Sequence, residues 1–120
     1  MAKLKPGYLS APELLDLLCQ IFPTFLEVWA ADTTEDNPDD LSPTYHQIFF
    51  SFTPFFGVYA PSATSDQLLH LSEFINRAVE TDDYLENAVS TGFLEHLHQI
   101  DAVPFLRKHL NSKALSQVRA

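Results

Sequence analysis

The stretch TYHQIFFSFTPFFGVYAP, from Thr44 to Pro61, holds five of the ten phenylalanines, and its reading decides the fold class. Read as a strand, it puts Ile48, Phe50 and Phe52 on one face but strands Phe49 on the other, beside Gln47 and Ser51. Read as a helix, it groups Tyr45, Ile48, Phe49 and Phe52 at i, i+3, i+4 and i+7. Ser42-Pro43 offers a start and Pro54 a stop. The aromatics' preference for strands pulls the other way. The helical stripe leaves fewer apolar residues stranded, so the expectation is a helix over 43–53. Phe55–Tyr59 then continues as a helical turn or as an extended link.

Upstream of this stretch the signals are helical. Ser10-Ala11-Pro12-Glu13 has the form of a capping box, and proline is tolerated where the first amides lack intrahelical partners. Leu14, Leu18, Ile21, Phe22, Phe25 and Trp29 recur at three- and four-residue steps. Pro23 interrupts them, which predicts two segments over 11–21 and 23–31. From Asp32 to Pro43 the chain reads as a long solvated loop carrying Asp32, Glu35, Asp36, Asp39 and Asp40. A calcium loop does not fit, because the sixth position from Asp32 is not glycine and the twelfth is Pro43 rather than glutamate.

Downstream, Thr64 with Gln67 can cap a helix running to about Glu80, with Leu68, Leu71, Ile75, Ala78 and Val79 facing inward. Asp83 and Glu86 form another candidate box, for a helix reaching Ile100 through Leu85, Ala88, Val89, Gly92, Phe93, His96 and Leu97. Pro104 opens a short helix with Leu106 and Leu110, and the tail from Ala114 is compatible with helix but prone to fray. The expected fold is all-α: a compact antiparallel bundle of about five to six helices, with a long acidic loop after the first helical segment. At 120 residues the chain reads as one domain, residues 1–120, with an ordered core over about 10–110.

The distribution of charge says more than its total of −9. Glu13 to Asp101 holds all sixteen acidic residues and a single basic one, Arg77, for a net of −15. Lys3 and Lys5 precede this body; Arg107, Lys108, Lys113 and Arg119 follow it. Such a body repels nucleic-acid phosphate and attracts basic protein surfaces. No membrane span is expected, since no apolar run approaches eighteen residues. The opening MAKLKPGYLS lacks an apolar signal segment, so the expected compartment is the cytoplasm.

Residues suited to catalysis are present but poorly grouped. Three glycines leave no phosphate-cradling loop, and Cys19 alone excludes a disulfide framework. Cys19 has no cation near in sequence to activate it and reads as structural. Glu95 and His98 show the Glu-x-x-His spacing of di-iron bundles, and His70 with Glu73 shows it reversed. The further glutamates that such a site needs are not evident, so no metal or other cofactor is expected. His96 falls mid-stripe and reads as a hydrogen-bonded core histidine. Aromatics beyond one helical stripe (Phe50, Phe55, Phe56 and Tyr59) can instead line an interface, joined by Trp29 next to the acidic loop.

The string Leu85-Glu-Asn-Ala-Val-Ser-Thr-Gly-Phe-Leu-Glu-His-Leu97, followed by Leu106-Arg107-Lys108-His109-Leu110 and preceded by the Phe22-Pro23 step, resembles a group of small bacterial helical proteins of unknown function. A neighbouring set looks like immunity partners of secreted toxins. The resemblance implies an all-helical intracellular protein and supplies no catalytic residue.

These readings converge on a non-enzymatic acidic protein that masks a basic protein partner. The expected contact residues are Trp29, Asp32, Glu35, Asp36, Asp39, Asp40, Phe55, Phe56 and Tyr59. Two alternatives stand beside it: a metal- or small-ligand enzyme using Glu95, His98, His70 and Glu73, and a homodimer joined through its aromatics.

Overall fold

The computed structural model describes residues 9–33, 44–81 and 84–118, and the described residues are all-α, with no strand among them. Seven α-helices follow in order: α1 (Ala11–Ile21), α2 (Phe25–Thr33), α3 (Tyr45–Tyr59), α4 (Ser65–Ala78), α5 (Tyr84–Gly92), α6 (Val103–Leu106) and α7 (Ser112–Ser116). Three 3-10 turns intervene at Ala60–Ser62, Leu94–His96 and Arg107–His109.

The first two helices divide where the sequence says they should. Ser10 and Glu13 form a reciprocal capping box, with the Ser10 amide donating to Glu13 Oε1 at 2.9 Å and the Glu13 amide donating to Ser10 Oγ at 3.3 Å. At the other end Phe22 leaves helical geometry (φ −126°, ψ 84°). The ring of the following Pro23 disfavours helical backbone there, so α1 ends and α2 restarts at Phe25.

Two helix boundaries depart from expectation. α3 does not stop at Pro54; it passes through it to Tyr59. An interior proline costs about 3 kcal/mol. Continuing the helix carries Phe56 onto the face that already holds Phe49 and Phe52. Phe56 lies 5.6 Å from Phe93, 5.9 Å from Phe52 and 6.0 Å from Phe22, and Phe55 lies 5.3 Å from Phe25, ring centre to ring centre. Aromatic pairs of this kind add about 0.5–1.5 kcal/mol each beyond their burial, which offsets the proline. The start also shifts: Thr44, not Ser42, caps α3, in a box with Gln47.

The second departure is the helix expected to reach Ile100, which ends at Gly92 and gives way to the turn at Leu94–His96. The Thr53 hydroxyl donates to the Gly92 carbonyl at 2.7 Å, supplying from α3 the partner that a continued helix would have provided. A Cβ on Gly92 would stand 3.1 Å from Phe49 Cβ, so only a residue without a side chain lets the two helices approach this closely. The seventh helix among the described residues, beyond the expected five to six, comes from the helix-compatible tail, where Ser112–Ser116 forms α7. The chain then turns at Asp101, whose φ of 57° is left-handed, while the Ala102 amide donates to Leu97 O at 2.9 Å.

α3 lies in the middle, packed against α1, α2 and α5, while α4 meets α1, α5, α6 and α7. The C-terminal elements are tied to α4 through one side chain and to α5 through a bond from Gln117 Nε2 to Glu86 Oε2 at 3.2 Å. Asn76 Nδ2 donates to His109 O at 3.0 Å, and Asn76 Oδ1 accepts from the Asn111 amide at 2.8 Å. Asn111 in turn caps α7 through the Ala114 amide. The expected cap at Asp83 lies outside the described residues. No helix among the described residues is long and apolar enough to cross a membrane.

Candidate functional site

The two sides of α3 are both apolar and differ completely in burial. At 100° per residue, Ile48, Phe49, Phe52 and Phe56 share one side, and all are buried. α2 covers one flank, where Phe25 meets Phe52 and Phe55. α5 and the turn after it cover the other, where His46 meets Thr91 and Gly57 lies against Ile100. What remains is an outward stripe of Phe50, Pro54 and Val58, spaced at i, i+4 and i+8, with the exposed capping residue Gln47 at its N-terminal end. Phe50 is 83% exposed and Val58 84%, and Pro54 is exposed between them. On neighbouring α2, Leu26 is 56% exposed.

A solvated helix face is ordinarily polar. This one carries no charge, and the chain has no Asp, Glu, Lys or Arg from Leu41 to Ser65. The segments that flank it are acidic in composition: α2 holds Glu27 and Asp32, residues 84–101 hold Glu86, Glu95 and Asp101, and neither has a lysine or arginine, although Glu86 is turned to the C-terminal end, where its Oε2 accepts from Gln117 Nε2 at 3.2 Å.

The expected contact residues do not coincide with this stripe. Phe56 is fully buried in the core and is withdrawn from the contact set. Phe55 is half-buried, its ring 5.3 Å from both Phe25 and Tyr59. Tyr59 is half-buried too, with its hydroxyl donating to Gln67 Oε1 at 3.5 Å. Trp29 is half-buried against the core. Asp32 falls within α2, but its side chain lies outside those described, as do Glu35, Asp36, Asp39 and Asp40 altogether. Phe50 was recognisable as a surplus aromatic. Pro54 and Val58 were missed because the helix was expected to end before them; carried on by eight residues from Phe50, the same wheel marks both.

A family model described as a domain of unknown function, DUF7674, matches residues 15–118. The chain belongs to this family. No curated protein and no solved structure matches it.

The other reactive side chains of this DUF7674 chain are dispersed. His70 and Glu73 stand exposed on α4, Glu95 lies in the turn after α5 and His98 beyond it. Among the described residues no three His, Cys, Asp or Glu side chains are gathered to hold a metal ion. His96 is half-buried rather than a core residue, because the break at Gly92 takes it off the expected stripe. Its Nδ1 bonds Gln99 Oε1 at 2.8 Å, and since a carbonyl oxygen only accepts, Nδ1 carries the proton. Thr91 gives its hydroxyl proton to Asn87 O at 2.8 Å, so His46 Nε2 is the donor in the 3.2 Å contact with Thr91. The Cys19 thiol is pushed above its ordinary value of 9.0, first by burial and then by the negative charge of Asp16. Both effects keep it protonated near neutrality, the opposite of what a nucleophile needs.

An open cleft of about 510 Å³ lies where α1, α3 and α5 begin, lined by Ser10, Ala11, Thr44, Tyr45, His46, Tyr84 and Asn87. Four of its polar side chains already serve the fold, His46 through Thr91 among them. Ser10 and Thr44 cap their helices, and the Tyr45 hydroxyl donates to Leu9 O.

Proposed function

We propose that this protein is a non-enzymatic binding module that masks a basic protein partner, and that the outward stripe of α3 is its docking surface. The observation that carries the reading is a pair of large apolar side chains, Phe50 and Val58, left 83% and 84% exposed on a helix without charge in a chain of net charge −9. Exposed apolar patches rimmed by charge mark interaction surfaces. The acidic body would speed encounter with a cationic partner, and burial of the stripe would slow release. An immunity factor bound to a basic toxin is one setting that fits this chemistry, and the cytoplasm is the compartment we assign to it.

The test is salt-graded capture on the immobilised chain, run beside a Phe50→Ser/Val58→Ser variant. The species captured is then purified and titrated against both. A basic protein retained by the parent and released as salt rises, with at least tenfold weaker binding to the variant, is the expected result. Equal binding to both chains removes the α3 surface from the reading, and a partner without basic character removes the masking role.

The missing charge on α3 also favours self-association, since two acidic chains would meet with least repulsion along this seam. Light scattering over a dilution series separates the two. A parent dimer that becomes a monomer on Phe50→Ser/Val58→Ser replaces the basic partner with a second copy.

A further inference from the structure

We infer that the occupant of the α3 stripe is a cationic amphipathic helix, which rests on the binding-module reading above and specifies the partner's shape. Three observations point to it. First, Phe50, Pro54 and Val58 form a single i, i+4, i+8 ridge about 12 Å long. Ridges of this spacing pack into the grooves between the side-chain rows of another helix. A partner strand would need a sheet edge to extend, and the described residues contain no strand.

Second, the ridge has no charge and both flanks are acidic. A helix seated on the ridge presents its apolar face to Phe50 and Val58. Lysines or arginines along its two margins then lie toward α2, with exposed Glu27, and toward the 84–101 segment, where exposed Asp101 follows the Ile100 that packs on Gly57. An acidic helix of the same shape would meet repulsion on both sides. Third, Pro54 has no amide hydrogen, so the Phe50 carbonyl lacks the donor that residue i+4 gives elsewhere in a helix. A cationic side chain laid along the ridge could supply that missing donor.

The experiment follows amide chemical shifts of the full chain titrated with three synthetic peptides about 18 residues long, enough to persist as helix. One carries leucine at i, i+3, i+4 and i+7 with lysine elsewhere; one replaces the lysines by glutamate; one scrambles the lysine peptide. The lysine helix should shift residues 46–58, bind at least tenfold more tightly than either control, and lose at least tenfold in affinity to Phe50→Ser/Val58→Ser. Both substituted side chains are solvent-exposed, and circular dichroism checks that the variant keeps its helix content. Equal binding of the scrambled peptide overturns the helical shape, and equal binding of the glutamate peptide overturns its charge. Shifts confined to other elements overturn the location. If the captured partner depends on Phe50 and Val58 while no helical peptide docks, the module reading stands and the helical occupant falls. If the captured partner ignores both residues, the α3 surface falls with it.

Discussion

Phe50 and Phe52 are two residues apart on one helix and have opposite surroundings. Phe52 is buried among Phe22, Phe25, Phe49, Phe56 and Phe93, whereas Phe50 is 83% exposed. One face of α3 is packed into the core, and the other leaves apolar surface open to solvent. Hydrophobicity alone therefore does not locate the core of this protein. The core lies where α1, α2 and α5 converge, and the residues turned away from that convergence keep their apolar character without contributing to the fold.

The sharpest challenge to this division is Phe52→Ala. Removing a fully buried ring from an aromatic cluster should cost about 3–5 kcal/mol in chemical denaturation. A loss under 1 kcal/mol would mean that the cluster is not the stabilising centre. Gly57→Ala examines the border between the faces. Its new Cβ would sit 2.8 Å from Ile100 Cβ, an atom fixed to the backbone, so the turn must shift. The expected loss is about 1–3 kcal/mol despite alanine's better helix propensity.

Thr53→Val tests the link from α3 to the end of α5. It keeps the side-chain shape and removes the donor to Gly92 O, leaving a buried carbonyl short of a partner at a cost of about 1–2 kcal/mol. The smallest effect belongs to the outer face. Phe50→Ser should leave the denaturation midpoint within about 0.5 kcal/mol of the parent. A larger loss would show that the stripe supports the fold and would weaken its assignment as a free surface.

What could be read from the sequence was local. The boxes at Ser10–Glu13 and Thr64–Gln67 each lie within one turn of helix, and both are present. The split at Phe22-Pro23 follows from the stereochemistry of a single dipeptide. What could not be read depended on partners distant along the chain. Pro54 looks like a stop until Phe22 and Phe93 reward the helix for carrying Phe56 past it, and Phe25 for carrying Phe55. Gly92 looks like a small residue inside a helix until Thr53, 39 positions earlier, takes its carbonyl. The error at Phe56 follows from the first of these, because ending the helix at residue 53 removes the wheel that places Phe56 four positions after Phe52. The same truncation hid Val58 from the candidate site.

The Asn76 clamp bears on how the molecule opens. α6, the 3-10 turn and α7 contain 4, 3 and 5 residues, each far below the length at which a helix persists alone. Their docking depends on the Asn76 amide, the bond from Gln117 to Glu86, and the burial of Leu106, Leu110 and Ala114. Residues 103–116 are therefore expected to open as a single exchange unit. Their backbone amides should lose hydrogen-exchange protection together and below the free energy of global unfolding, while the amides around Phe52 exchange only when the whole chain unfolds.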